Sequence, residues 1–122
     1  CDALLMNDAR YPWVILVPRI TGLTEIYQLS ELEQQQLMLE SNTVAKNLAD
    51  LVSADKMNVA ALGNVVSQLH IHHVARYQQD EVWPDPVWGK GQAISYSEQE
   101  QKAVIDQLQQ TLSELIVNGD NT

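Results

Sequence analysis

Gln68-Leu69-His70-Ile71-His72-His73-Val74-Ala75-Arg76 contains all three histidines of the chain. Read as a strand, its period of two sends Gln68, His70, His72 and Val74 to one face and Leu69, Ile71, His73 and Ala75 to the other. Two imidazoles and an amide then share a face, with Cβ atoms roughly 6 to 7 Å apart along the strand. The apolar Leu69 and Ile71 face helices. Such a row supports three chemistries. A neutral imidazole whose other nitrogen is held by an acceptor can attack phosphorus, while neighbouring polar groups stabilise the oxyanions. A His-x-His pair is also a metal-ligand spacing, but tetrahedral zinc needs further ligands and only distant carboxylates are on offer. The plain alternative is a solvated polar strand face, which suits an isolated histidine better than this cluster. His73, on the opposite face, reads as a buried, hydrogen-bonded structural residue. Arg76, at the strand end, fits pairing with phosphate or with a carboxylate; a single arginine there is more often structural, and its role stays open.

Working outward, Met57 to Leu62 is an apolar run that ends at the turn dipeptide Gly63-Asn64, and Val65 to Tyr77 follows, giving strand, turn, strand. Upstream, the apolar runs Ala3 to Met6 and Val14 to Val17 flank the turn-like Asn7-Asp8-Ala9-Arg10-Tyr11-Pro12. Ser30-Glu31-Leu32-Glu33 is a capping box that opens a long helix from about Ser30 to Val52. In it Leu37, Val44, Leu48 and Leu51 form one apolar stripe. Trp83-Pro84-Asp85-Pro86-Val87-Trp88-Gly89 cannot continue regular structure, because its prolines remove donors and restrict their predecessors. A second box, Ser97-Glu98-Gln99-Glu100, opens a helix over about residues 97–117, with a stripe of Val104, Leu108, Leu112 and Leu115 and a stop at Asn118-Gly119. The fold class expected is α+β, an antiparallel sheet of about five strands with one long helix and a C-terminal helix.

The histidine segment resembles the motif of the histidine triad (HIT) family, in which histidines alternate with hydrophobic residues. Gln68 stands at the first triad position, and His70 and His72 keep the middle and last. The resemblance implies that His70 is the nucleophile, attacking a nucleotide α-phosphorus to form a nucleotidyl-imidazole, with His72 contacting phosphate or leaving group. Gln68 can orient a group by hydrogen bonding but cannot titrate near neutral pH. Val14-Ile15-Leu16-Val17-Pro18 is similar to the family's strand ending in proline. Gly63-Asn64-Val65-Val66-Ser67 is similar to its segment before the triad, which makes Asn64 and Ser67 substrate-binding candidates. By the same resemblance Asn7 matches a ribose-contacting position and Asn58 an upstream polar one. The implied activity is hydrolysis or nucleotidyl transfer on nucleoside phosphoramidates or dinucleoside polyphosphates, with a homodimer as the assembly. Two rival readings are a noncatalytic nucleotide-binding or regulatory module, arising from Gln68, and a metal-binding protein.

The chain has 122 residues, the size of one domain, so a single HIT-like domain over 1–122 is expected. Its net charge is −9, which disfavours nonspecific nucleic-acid binding but still allows a small anionic ligand held by local N–H groups. No apolar run approaches the ~20 residues needed to span a bilayer, so no membrane partner is expected. The single cysteine, Cys1, excludes an internal disulfide, and the location expected is cytoplasmic. No cofactor and no protein-held metal are expected. Trp83 and Trp88 fit an apolar lid over a base, closure of a dimer groove, or a cover for the open edge of the sheet.

Overall fold

The computed structural model describes residues 1–112 and the backbone of 116–119. Both capping boxes set helix starts where the sequence puts them. The Ser30 hydroxyl accepts from the Glu33 N–H while the Glu33 carboxylate accepts from the Ser30 N–H, and helix α1 runs Glu31–Val52. The Ser97 hydroxyl accepts from the Glu100 N–H to start α2, Glu98–Thr111. Strands β1 (Asp2–Leu5), β2 (Trp13–Val17), β3 (Lys56–Ala60), β4 (Ile71–Arg76) and β5 (Ile116–Gly119) form one sheet in the order β3-β4-β2-β1-β5.

Four of the strands pair antiparallel, and β5 pairs parallel with β1, so the sheet is mixed at that edge. The expected helix over about 97–117 ends at Thr111, because 116–119 joins the sheet instead. Leu115 lies outside the described residues. The expected strand from Val65 is shorter at its start. Residues 61–70 form an irregular connection in which Gly63 takes φ +79° and Val65 is 97% exposed, and the ladder begins only at Ile71. An exposed apolar run has no face to bury, so its β-propensity goes unused there.

Directly paired residues share a face, so the register sorts the sheet into two sides. Ala3, Leu5, Val14, Leu16, Ile71 and Ala75 face the helices and pack with Leu37, Val44, Leu48, Leu108 and Leu112. Leu51, expected on the α1 stripe, is 40% exposed, and its neighbour Val52 packs against the core instead. The other face carries Trp13, Ile15 and Val74, covered by Tyr11, Val87 and Trp88. His73 is the polar exception on the helix side and is fully buried. Its Nδ1–H donates to the Val14 carbonyl at 3.2 Å, and its Nε2 accepts from the Ser41 hydroxyl at 2.7 Å. A carbonyl can only accept, so this tautomer is fixed, and the imidazole ties α1 to β2 and β4.

Candidate functional site

His72 lies in β4 opposite Ile15 of β2 on one side and Ala60 of β3 on the other. Trp13 pairs with Val74, which makes it the diagonal neighbour of His72 on the same face, within reach of a long aromatic side chain. Its indole N–H donates to His72 Nδ1 at 3.0 Å. An indole nitrogen can only donate, so His72 Nδ1 carries the lone pair and the proton sits on Nε2. Burial of the ring, with His70 and His73 adding smaller repulsions, pushes the His72 pKa down to about 4. At neutral pH it is an uncharged hydrogen-bond donor.

His70 precedes β4, yet its ring packs edge-on against His72 with centroids 4.8 Å apart, so the two imidazoles meet as the alternation requires. Its Nδ1 lies 2.7 Å from the Gln68 main-chain oxygen. That oxygen can only accept, so Nδ1 carries the hydrogen and Nε2 the free lone pair. The expected row of three side chains is therefore a pair, because Gln68 lies outside the ladder and turns elsewhere. Its amide donates to the Ile20 carbonyl at 3.2 Å, and the adjacent Leu69 N–H bonds to Leu23 O at 2.7 Å. Gln68 serves His70 through its backbone.

The other candidates scatter around this pair. Asn64 and Ser67 are exposed on the connection that leads to His70. The Asn58 side chain accepts from Arg76 Nη1 at 2.9 Å, and that of Asn7 accepts from the Tyr96 N–H at 2.9 Å. Both asparagines hold neighbouring chain in the structure. Arg76 is almost fully buried and pairs bidentately with Asp80, whose carboxylate also accepts from the Tyr77, Val82 and Trp83 N–H groups. The Arg76 hydrogen bonds are the main reason the Asp80 pKa is held down to about 2. This pair clips the start of the long loop before α2. Arg10, bound to the buried Asp8, clips its far end by donating to the Lys90 carbonyl at 3.1 Å. At Asp8 burial alone would raise the pKa, but hydrogen bonds from Arg10 and from the Ile94 N–H, together with the Arg10 charge, outweigh it and hold the carboxyl below its usual range.

Between these clips the loop lays Trp88 edge-on against His72, at 5.4 Å between centroids, and against Trp13, at 5.8 Å. Trp83 instead lies near the Arg76 guanidinium, at 5.7 Å. Of the two loop tryptophans, Trp88 is the one that walls the histidine pair. The indole nitrogen of Trp88 is buried without a protein partner among the described residues, as is the Tyr11 hydroxyl. Trp13 is missed by the sequence reading, whereas Trp88 is read there as a lid, the closure of a dimer groove or an edge cover. The signal for Trp13 was its place on β2, two residues from Ile15 and so on the face of His72. Among the described residues no group of three or more His, Cys, Asp or Glu side chains is gathered for a metal ion.

A sequence model of the HIT domain matches residues 1–79, the greater part of the chain, and the chain belongs to the histidine triad (HIT) family. Among solved structures, a histidine triad protein from Marinobacter aquaeolei VT8 is 53% identical, superposes with a TM-score of 0.91, and is matched over 94% of this chain and 84% of its own. A histidine triad protein from Sinorhizobium meliloti 1021 is 38% identical with a TM-score of 0.82, over 94% of this chain and 90% of that one. A third, from Bradyrhizobium japonicum, is 42% identical with a TM-score of 0.81, over 93% and 82%. None of the curated proteins matches the chain. No helix among the described residues is long and apolar enough to cross a membrane.

Proposed function

We propose that the protein is a HIT-type nucleotide hydrolase or nucleotidyl transferase in which His70 attacks an α-phosphate. The observation that carries this reading is the 2.7 Å hydrogen bond from His70 Nδ1–H to the Gln68 carbonyl. It leaves Nε2 as a nucleophile and steadies the positive charge that the ring gains when Nε2 bonds phosphorus. His72, 4.8 Å away, presents an Nε2–H suited to a phosphate oxygen. Asn64 and Ser67, exposed on the connection that leads to His70, are proposed to contact substrate. Asn7 and Asn58, the other candidates, would serve mainly by shaping the surrounding chain.

The same reading makes residues 1–122 a single domain acting as a cytoplasmic homodimer. Leu32, Met38 and Leu39 on α1 are each at least 60% exposed, apolar surface that a second copy can cover. Rapid-quench mass spectrometry of the protein with an adenylyl donor tests the mechanism. An adenylyl adduct on His70 that disappears in His70→Ala supports it. Nucleotide binding without an adduct supports the noncatalytic module instead, a reading favoured by the engagement of the Gln68 side chain with Ile20.

A further inference from the structure

We infer that Trp13 is a positioning residue that locks His72 as a neutral Nε2–H donor, and that the site therefore cleaves nucleoside phosphoric anhydrides in preference to phosphoramidates. The inference rests on the His70 mechanism just proposed and narrows its substrate class. A P–N bond to an alkylamine breaks only when the nitrogen is protonated, because an amide anion is too basic to leave. The site must then supply a proton at the leaving group. A P–O–P bond releases a phosphate or nucleotide anion and needs none.

Among the described residues, the groups placed against the histidine pair do not supply that proton. The Gln68 side chain does not titrate and is turned to the Ile20 carbonyl. His73 lies across the sheet, held by Ser41 and Val14. Trp88, the remaining ring against His72, is a neutral indole. His72 itself would act as an acid only as an imidazolium, and a proton on Nδ1 would meet the Trp13 indole N–H now 3.0 Å away, donor against donor. Its neutral Nε2–H gives hydrogen bonds but no proton.

The reaction closes without an acid. The His70 Nε2 lone pair forms a bond to the α-phosphorus, and the bridging P–O bond breaks with its electron pair leaving on the departing phosphate oxygen. The adduct ring keeps its Nδ1–H on the Gln68 carbonyl and is cationic. Water then bonds the phosphorus and gives its proton to solvent, while the P–N pair returns to Nε2. His70 departs as a neutral imidazole, so this step needs no acid either.

Two donors of the same adenylyl group test the preference: diadenosine triphosphate, which releases ADP, and an adenosine 5′-phosphoramidate of an alkylamine. At about pH 7, adduct formation on wild-type His70 is expected to be faster from the anhydride by about a hundredfold, the lower end of what general-acid catalysis supplies. In Trp13→Phe the ratio is expected to narrow only in part, because His72 Nδ1 no longer faces a donor while burial of the ring still opposes a second proton. ¹⁵N NMR of the wild-type protein, which needs neither turnover nor a variant, is expected to show His72 with its lone pair on Nδ1. Equal rates from both donors, or a proton on His72 Nδ1, overturn the inference. Silence from both donors sinks the preference together with the His70 mechanism, and is distinguished from the first case by the absence of any adduct.

Discussion

At His70 the partner that matters is a main-chain oxygen, which any residue at position 68 would supply. Gln68→Ala removes one hydrogen bond between neutral groups, worth about 0.5–1.5 kcal/mol, so adduct formation is expected to slow by no more than about tenfold. Single-turnover quench measurements on Gln68→Ala beside His70→Ala check this. A Gln68→Ala variant as dead as His70→Ala would mean that the side chain acts in the chemistry. This is also where sequence reading reached its limit. The alternation of residues 68–72 brings His70 and His72 together, as found, but the tautomers depend on acceptors and donors that pattern does not encode. The partner of His72 lies 59 positions away on β2, and that of His70 is a carbonyl present at every residue.

Elements show the same division between local and distant information. Helix starts were legible because a capping box is a contact between residues three apart. Strand β5 was not, because four residues carry little pattern and their pairing with β1 joins opposite ends of the chain. The stretch 61–70 misled because its valines read as a strand while Gly63 turns the backbone away. How elements lock together is equally nonlocal, and two contacts test it. Ser41→Ala strands the buried His73 Nε2 without its donor and is expected to cost about 1–3 kcal/mol in urea denaturation. Asp80→Ala leaves the Arg76 charge buried and unpaired, for which a loss of about 3–5 kcal/mol is expected, together with weakened seating of the Trp88 loop. The exposed Lys46–Asp50 pair is the control, where Asp50→Ala is expected to leave the urea midpoint nearly unchanged. If all three variants matched, burial would not be what gives these contacts their weight.

Across the whole molecule, the sheet buries an imidazole on each face, and both are held below their ordinary pKa chiefly by burial. For His72 the folded value is about 4 against an ordinary 6.5, so the unfolded chain binds the proton more readily than the native one. The neutral ring therefore contributes its full share of stability above about pH 6.5 and loses it as pH falls toward 4, a total of roughly 3 kcal/mol. His73 acts in the same direction. Asp80, held near 2 against 3.8, begins to lose its share only at lower pH, so the histidines govern the first stage of acid destabilisation. Urea unfolding at about pH 7 and about pH 5 is expected to differ by about 2 kcal/mol from His72 alone, with the acid sample weaker. His72→Gln should flatten that slope, since an amide takes up no proton in either state. A wild-type midpoint unchanged between the two pH values would show that His72 titrates alike folded and unfolded. Burial would then not be holding the ring neutral.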